Sequence, residues 1–198
     1  MPGGLWVERA IREAAAGRFH AVIETTMRQP EVVRRTAEQF TAQGFRFEMR
    51  VVVDPEASQL GIYERFATGL ASPSALPRFT LPSYHTDAVA WMPKTLAAVV
   101  KLAKVVRFVD RQGREHYSSR ASVVSPVKAL EDLRRQPLPD VERLRITQQW
   151  ASLVQRLDRD GVPAVVREGV RSEQTRFAAL LEQGRAAPSG RSEEGLDR

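Results

Sequence analysis

An α/β fold organised on a parallel sheet is what this sequence predicts, on three observations. Short apolar runs alternate with amphipathic segments from residue 5 to residue 71, and the connections between them are brief. One apolar run, Phe19 to Ile23, turns abruptly polar at its end, with Glu24, Thr25, Thr26 and Arg28 in close succession. Strand and helix alternating over short joints is the pattern of parallel strands crossed by helices, and such sheets build their sites beyond the strand ends. At 198 residues the chain is long enough for one full core and an appendage.

The elements follow in order. Leu5, Val7, Ala10, Ile11 and Ala14 fit a short amphipathic helix, with Gly17 as its C-terminal cap. Phe19 to Ile23 reads as a buried strand. Pro30 opens a helix over 31–43, in which Val32, Val33, Ala37 and Phe40 recur at helical spacing, and Gly44 stops it. Residues 45–53 read as a second strand, ended by Asp54-Pro55, and 56–71 as a helix carrying Leu60, Ile62, Tyr63 and Phe66. The proline-rich stretch 72–84 is a long loop of the kind that often carries function. A helix is expected over 86–104, entered or kinked at Pro93, then a strand at 105–109, a turn at Asp110-Arg-Gln-Gly113 and a returning strand at 116–119. Helices follow at 125–135, 140–158 and 162–184, and the apolar-poor tail 185–198 is expected to be disordered.

Composition removes several classes of function. The chain has no cysteine and three histidines, so disulfides, thiolate metal sites and histidine-rich metal sites are not expected. Its most apolar stretch, 88–106, is interrupted by Pro93, Lys94, Lys101 and Lys104, too charged for a bilayer span. The N-terminus has no secretory apolar core, and the sequence reads as soluble and cytoplasmic. The net charge of +6 sits in the middle: residues 101–150 carry 11 basic and 6 acidic side chains, against 11 and 10 in residues 1–100 and 8 and 8 in residues 151–198. Those arginines are scattered among acids without interleaved aromatics, so no nucleic-acid partner is expected, while anionic small molecules remain compatible.

No G-x-x-x-x-G-K-[ST] phosphate cradle and no G-x-S-x-G elbow occurs in these residues. The chemistry rests on an ordered set: Glu8, then Glu24-x-Thr26-x-Arg28, then Gly61-Ile-Tyr-Glu-Arg65, then Arg78, then His85-Thr-Asp87. With Ala42-Gln-Gly-Phe45 and with Val109-Asp-Arg-Gln-Gly113 leading to Tyr117-Ser-Ser119, this set resembles the zeta toxin family from about Trp6 to Ser119. Those are kinases of toxin–antitoxin systems that phosphorylate UDP-N-acetylglucosamine.

The resemblance implies a P-loop-kinase-like three-layer parallel sheet with C-terminal helices. It divides the chain into a kinase-like domain at 1–137, a helical extension at 138–184 and the tail at 185–198. It implies ATP and Mg2+ as cofactors, a nucleotide-sugar substrate and an antitoxin protein as possible partner. Glu8 and Thr26 would contact the sugar nucleotide, Glu24 would help arrange the reacting centre, and Arg28 would approach the diphosphate. Arg65 and Arg78 would clamp the ATP phosphates catalytically, a role that suits planar guanidinium forks in phosphoryl transfer. His85 is expected to be a structural hydrogen-bonding residue, and Asp87 stands one place later than the family's aspartate. In the family the phosphate loop and the general base precede the helix bearing Glu8. The chain is therefore expected to be a C-terminal portion lacking the central strand of the sheet and inactive by itself. The alternative reading is a non-catalytic remnant that acts as a binding or interaction protein.

Overall fold

The computed structural model describes residues 3–71, 79–158 and 161–186. Its order is α1 (Gly3–Ala16), α2 (Pro30–Ala42), β1 (Glu48–Val52), α3 (Pro55–Ala71), α4 (Pro82–Val99), β2 (Val105–Val109), β3 (Glu115–Ser118), α5 (Pro126–Arg135), α6 (Asp140–Leu157) and α7 (Ala164–Ala186). The chain forms two compact units: a sheet unit of residues 1–55 and 80–136, and a helical unit of residues 56–79 and 137–198.

The sheet is small and mixed, in the order β1-β2-β3. β1 and β2 run parallel, with Glu48 opposite Val105 and Val52 opposite Val109, while β3 returns antiparallel to β2. β1 alternates, burying Met49 and Val51 and exposing Glu48, Arg50 and Val52, as a strand covered on one face does. Its buried side joins Val106 and Phe108 of β2, Tyr117 of β3, Leu96 and Val99 of α4, and Leu130 of α5 in one core. Phe108 and Tyr117 stack at 4.9 Å between ring centroids across the antiparallel pair.

Local chemistry sets the ends of the helices. Gly44, at φ 80°, follows α2; its N–H bonds Thr41 O at 2.9 Å and the Phe45 N–H bonds Phe40 O at 3.1 Å. The Phe40 and Phe45 rings meet edge-on at 5.2 Å, which completes a Schellman stop with its apolar contact. At the end of α1 the left-handed residue is Arg18 (φ 54°) rather than Gly17. A Cβ at Gly17 would lie 2.5 Å from the exposed Phe19 ring, which would have to swing aside. Inside α4, Pro93 has no N–H for the Val89 carbonyl, and Arg134 of α5 donates to that oxygen at 2.9 Å. Ser125 caps α5 by accepting from the Lys128 N–H at 3.3 Å.

The expected strand at Phe19–Ile23 does not form. Residues 18–29 are a connection without regular structure, and Val22 and Phe19 are 95% and 66% exposed. A strand exists only through a partner, and none of the three strands pairs with this segment. The expected parallel sheet is accordingly mixed and small. The expected strand at 45–53 shortens to β1 because Phe45 is held in the stop of α2.

The helical unit has its own core. Leu60, Tyr63 and Phe66 of α3 pack with Ile146, Trp150 and Leu153 of α6 and with Val166, Val170 and Phe177 of α7. The helical extension drawn at 138–184 thus shares its core with α3. Most of the expected disordered tail, from residue 187 onward, lies outside the described residues.

Candidate functional site

The connection between α1 and α2 carries the polar run, and its anchor is Met27. This residue holds a left-handed φ of 57°, costly for an unbranched non-glycine residue by about 1–2 kcal/mol. Three ties hold it there. Its side chain is buried in the core of the sheet unit. Its N–H bonds the Thr25 hydroxyl at 3.3 Å. Its carbonyl accepts the Thr95 hydroxyl of α4 at 2.6 Å.

With Met27 turned inward, its neighbours face outward. Glu24 and Thr26 are exposed, and Arg28 is half-buried with its guanidinium 4.6 Å from the centroid of the Tyr84 ring. A cation over an aromatic face is attracted to the ring quadrupole and leaves its N–H edge free to donate. Glu8, on α1, is exposed and lies 3.6 Å from Arg35 of α2, an interhelical ion pair open to solvent. His85 and Asp87 follow Tyr84 on the first turns of α4, half-buried and exposed respectively.

The structure therefore gathers Glu24, Thr26 and Arg28 on one pinned loop and sets Glu8 on the helix leading into it. Arg65 lies exposed on α3, in the helical unit. Arg78 lies outside the described residues. Sequence reasoning missed Tyr84, Thr95 and the anchoring role of Met27. The available signal was a lone apolar residue inside a polar run, which marks a loop that dips into the core.

A second polar centre lies at the carboxyl end of β2. Asp110 is buried; its Oδ1 accepts the N–H groups of Gln112 and Arg114 at 2.9 Å each, and its Oδ2 faces Arg114 Nε at 2.6 Å and His116 Nε2 at 3.2 Å. Burial pushes its carboxyl up, but the Arg114 amide, the Arg114 guanidinium and His116 together bring it down to about 2. It fixes the expected turn, with Gly113 at φ 80°, and its partners are all local, as in a structural clamp. Among the described residues no group of three or more histidine, cysteine, aspartate or glutamate side chains converges on a metal position. These residues therefore offer Mg2+ no ready-made cage. No helix of the described residues is long and apolar enough to cross a membrane.

A family model of the zeta toxins matches residues 3–122. The chain belongs to the zeta toxin family. It is 33% identical over 117 residues to a zeta toxin of Enterococcus hirae, and 32% identical over 117 residues to that of Streptococcus pyogenes. Each match covers 57% of this chain and 41% of the relative, so the chain spans about two fifths of the length of the curated relatives it matches. Among solved structures, it is similar to a chain of the PezAT chromosomal toxin–antitoxin system of Streptococcus pneumoniae, with a TM-score of 0.62 and 18% identity. That likeness covers 79% of this chain and 62% of the other, and concerns the fold.

Proposed function

We propose that this zeta toxin family chain carries the acceptor-binding side of a kinase that transfers the γ-phosphoryl group of ATP to UDP-N-acetylglucosamine. The observation that carries the reading is the pinned loop, which presents a carboxylate, a hydroxyl and a guanidinium outward from one fixed anchor. In this reading β1 and β2 belong to a P-loop-kinase-like sheet. Arg28 meets the diphosphate with its free N–H edge, Thr26 and Glu8 contact sugar or ribose hydroxyls, and Glu24 orients the acceptor hydroxyl. Arg65 and Arg78 neutralise charge on the transferred group, the main demand of phosphoryl transfer. ATP would supply the phosphoryl group, with Mg2+ as its companion cation; the G-x-x-x-x-G-K-[ST] loop that cradles phosphates is not in these 198 residues. An antitoxin protein is the proposed partner and the cytoplasm the proposed compartment, a reading supported by family membership and by the toxin–antitoxin system of the structural neighbour.

The test is calorimetric titration of residues 1–198 with UDP-N-acetylglucosamine. Binding is expected, weakened roughly tenfold or more by Arg28→Ala, because a charge-assisted contact to phosphate is worth more than about 1.4 kcal/mol. Arg28→Lys is expected to fail nearly as badly, since a point charge neither stacks on Tyr84 nor forks onto two oxygens. With Mg-ATP the same polypeptide is expected to give no product. Absence of binding, or equal affinity in Arg28→Ala, defeats the proposal.

A further inference from the structure

Thr95 differs from five other threonines in helices. Thr36, Thr41, Thr86, Thr147 and Thr175 each donate to the carbonyl four residues earlier on their own helix. That back-bond is the ordinary resting place of a helical threonine hydroxyl. Thr95 has no exposed surface, and it donates instead across 68 residues of sequence to the carbonyl of Met27. A backbone carbonyl buried beside an apolar core has to be satisfied, and here a side chain of α4 performs that task for the loop.

We propose that Thr95 is a positioning residue for the loop that bears Glu24, Thr26 and Arg28, with Tyr84 on the same helix as its second support. At this left-handed turn Met27 is buried while Thr26 before it is exposed and Arg28 after it is half-buried over the Tyr84 ring, so holding Met27 inward holds both neighbours where they stand. Without the Thr95 bond the Met27 carbonyl has a reason to rotate toward water, and the left-handed turn relaxes with it. Tyr84 then has no guanidinium held above its ring. α4 in this way holds the candidate binding loop at two points, the buried Thr95 and the exposed ring of Tyr84. For the ligand, this inference rests on the proposed function; for the latch it does not.

The experiment compares Thr95→Val, which keeps shape and loses the hydroxyl, with Thr95→Ser, which keeps the hydroxyl. Residue-resolved amide exchange reads local opening separately from global unfolding. Thr95→Val is expected to speed exchange at residues 25–28 at least about tenfold while β2 amides keep their protection, and Thr95→Ser to restore the loop to within about threefold. Loop amides that do not quicken, or β2 amides that quicken equally, overturn the proposal, as does failure of Thr95→Ser to restore protection. Should Thr95→Val not fold, Tyr84→Leu carries the test at an exposed site. The Arg28 Nε–H resonance is expected to lose its ring-current shift and the Arg28 amide to exchange faster; no change in either overturns the proposal. In a parallel titration, Thr95→Val is expected to weaken UDP-N-acetylglucosamine about tenfold, and undiminished affinity overturns the positioning role. A parent chain that binds none of this nucleotide sugar removes the proposed function, and the exchange result still decides the latch.

Discussion

In the sheet unit the buried side chains Thr95 and Asp110 are each tied to named backbone groups: one carbonyl for Thr95, two amides for Asp110. In the helical unit, Gln59 Oε1 and Nε2, Tyr63 Oη and Trp150 Nε1 are buried without a hydrogen-bond partner among the described residues. The first arrangement specifies a geometry, because only one path of the chain satisfies both ends of each bond. The second arrangement gains stability from packing alone and loses some to unpaired groups. The geometry of the acceptor-binding loop is therefore expected to rest on the first unit, while the buried contacts of the second are mainly apolar.

The largest effect expected from this contrast is at Trp150. It is 2% exposed and packs edge-on against Tyr63 at 5.7 Å between centroids. Trp150→Ala is expected to cost about 4 kcal/mol, the usual result of emptying so large a volume. Urea unfolding followed by amide protection in α3, α6 and α7 checks it. If protection in β2 falls as far as protection in α6, the two units do not unfold separately and the contrast between them fails.

Asp110 comes next, and tests the sheet unit through pH. Its folded pKa is depressed from the ordinary 3.8 to about 2. A depressed carboxyl contributes stability that is fully present above its unfolded pKa and is lost as pH falls through the folded value, here from about 4 to about 2. Asp110→Asn keeps an acceptor for the turn amides but loses the charge facing Arg114 and His116. It is expected to cost about 2 kcal/mol near neutral pH, with the gap to the parent closing across that acid window. A gap that stays constant down to about pH 2 shows that the charge of Asp110 does not stabilise the turn.

How legible each unit was follows the same division between local and distant causes. The start and stop of α2 could be read from Pro30 and Gly44 because those residues act on their own backbone. The span of β2 was visible as Val105 to Val109 because every residue in it is apolar or bears a long stem. The segment Phe19–Ile23 had the composition of a strand, but pairing depends on a neighbour that composition does not report. Helical spacing showed that Leu60, Tyr63 and Phe66 share a buried face, not that α6 and α7 would cover it. The candidate residues Glu24, Thr26 and Arg28 stand out as a local polar run, whereas the Thr95 bond to the Met27 carbonyl joins two ends of a long loop of sequence.

The smallest effect expected is also the one whose sign separates the two units. Tyr63 has no exposed surface, and its hydroxyl is unpaired among the described residues. Burial, and to a lesser degree Glu173, push its pKa up to about 12, while Arg176 pulls the other way. In the sheet unit, deleting a buried hydroxyl such as that of Thr95 removes a bond and is expected to destabilise. In the helical unit, Tyr63→Phe removes only a desolvated group, so it is expected to stabilise by about 1 kcal/mol. The raised pKa adds a second signature. Stability from the neutral phenol is present below its ordinary pKa of 10 and is lost as pH rises toward about 12, so the variant should have a flatter alkaline limb. Gly169 sharpens the test further, because a Cβ there would lie 3.0 Å from the same hydroxyl oxygen. Gly169→Ala is then expected to cost less in the Tyr63→Phe background than in the parent, a coupling that a double-mutant cycle measures. Should Tyr63→Phe destabilise by 1 kcal/mol or so instead, the hydroxyl has a partner such as an internal water. The helical unit would then be specified by buried hydrogen bonds as the sheet unit is.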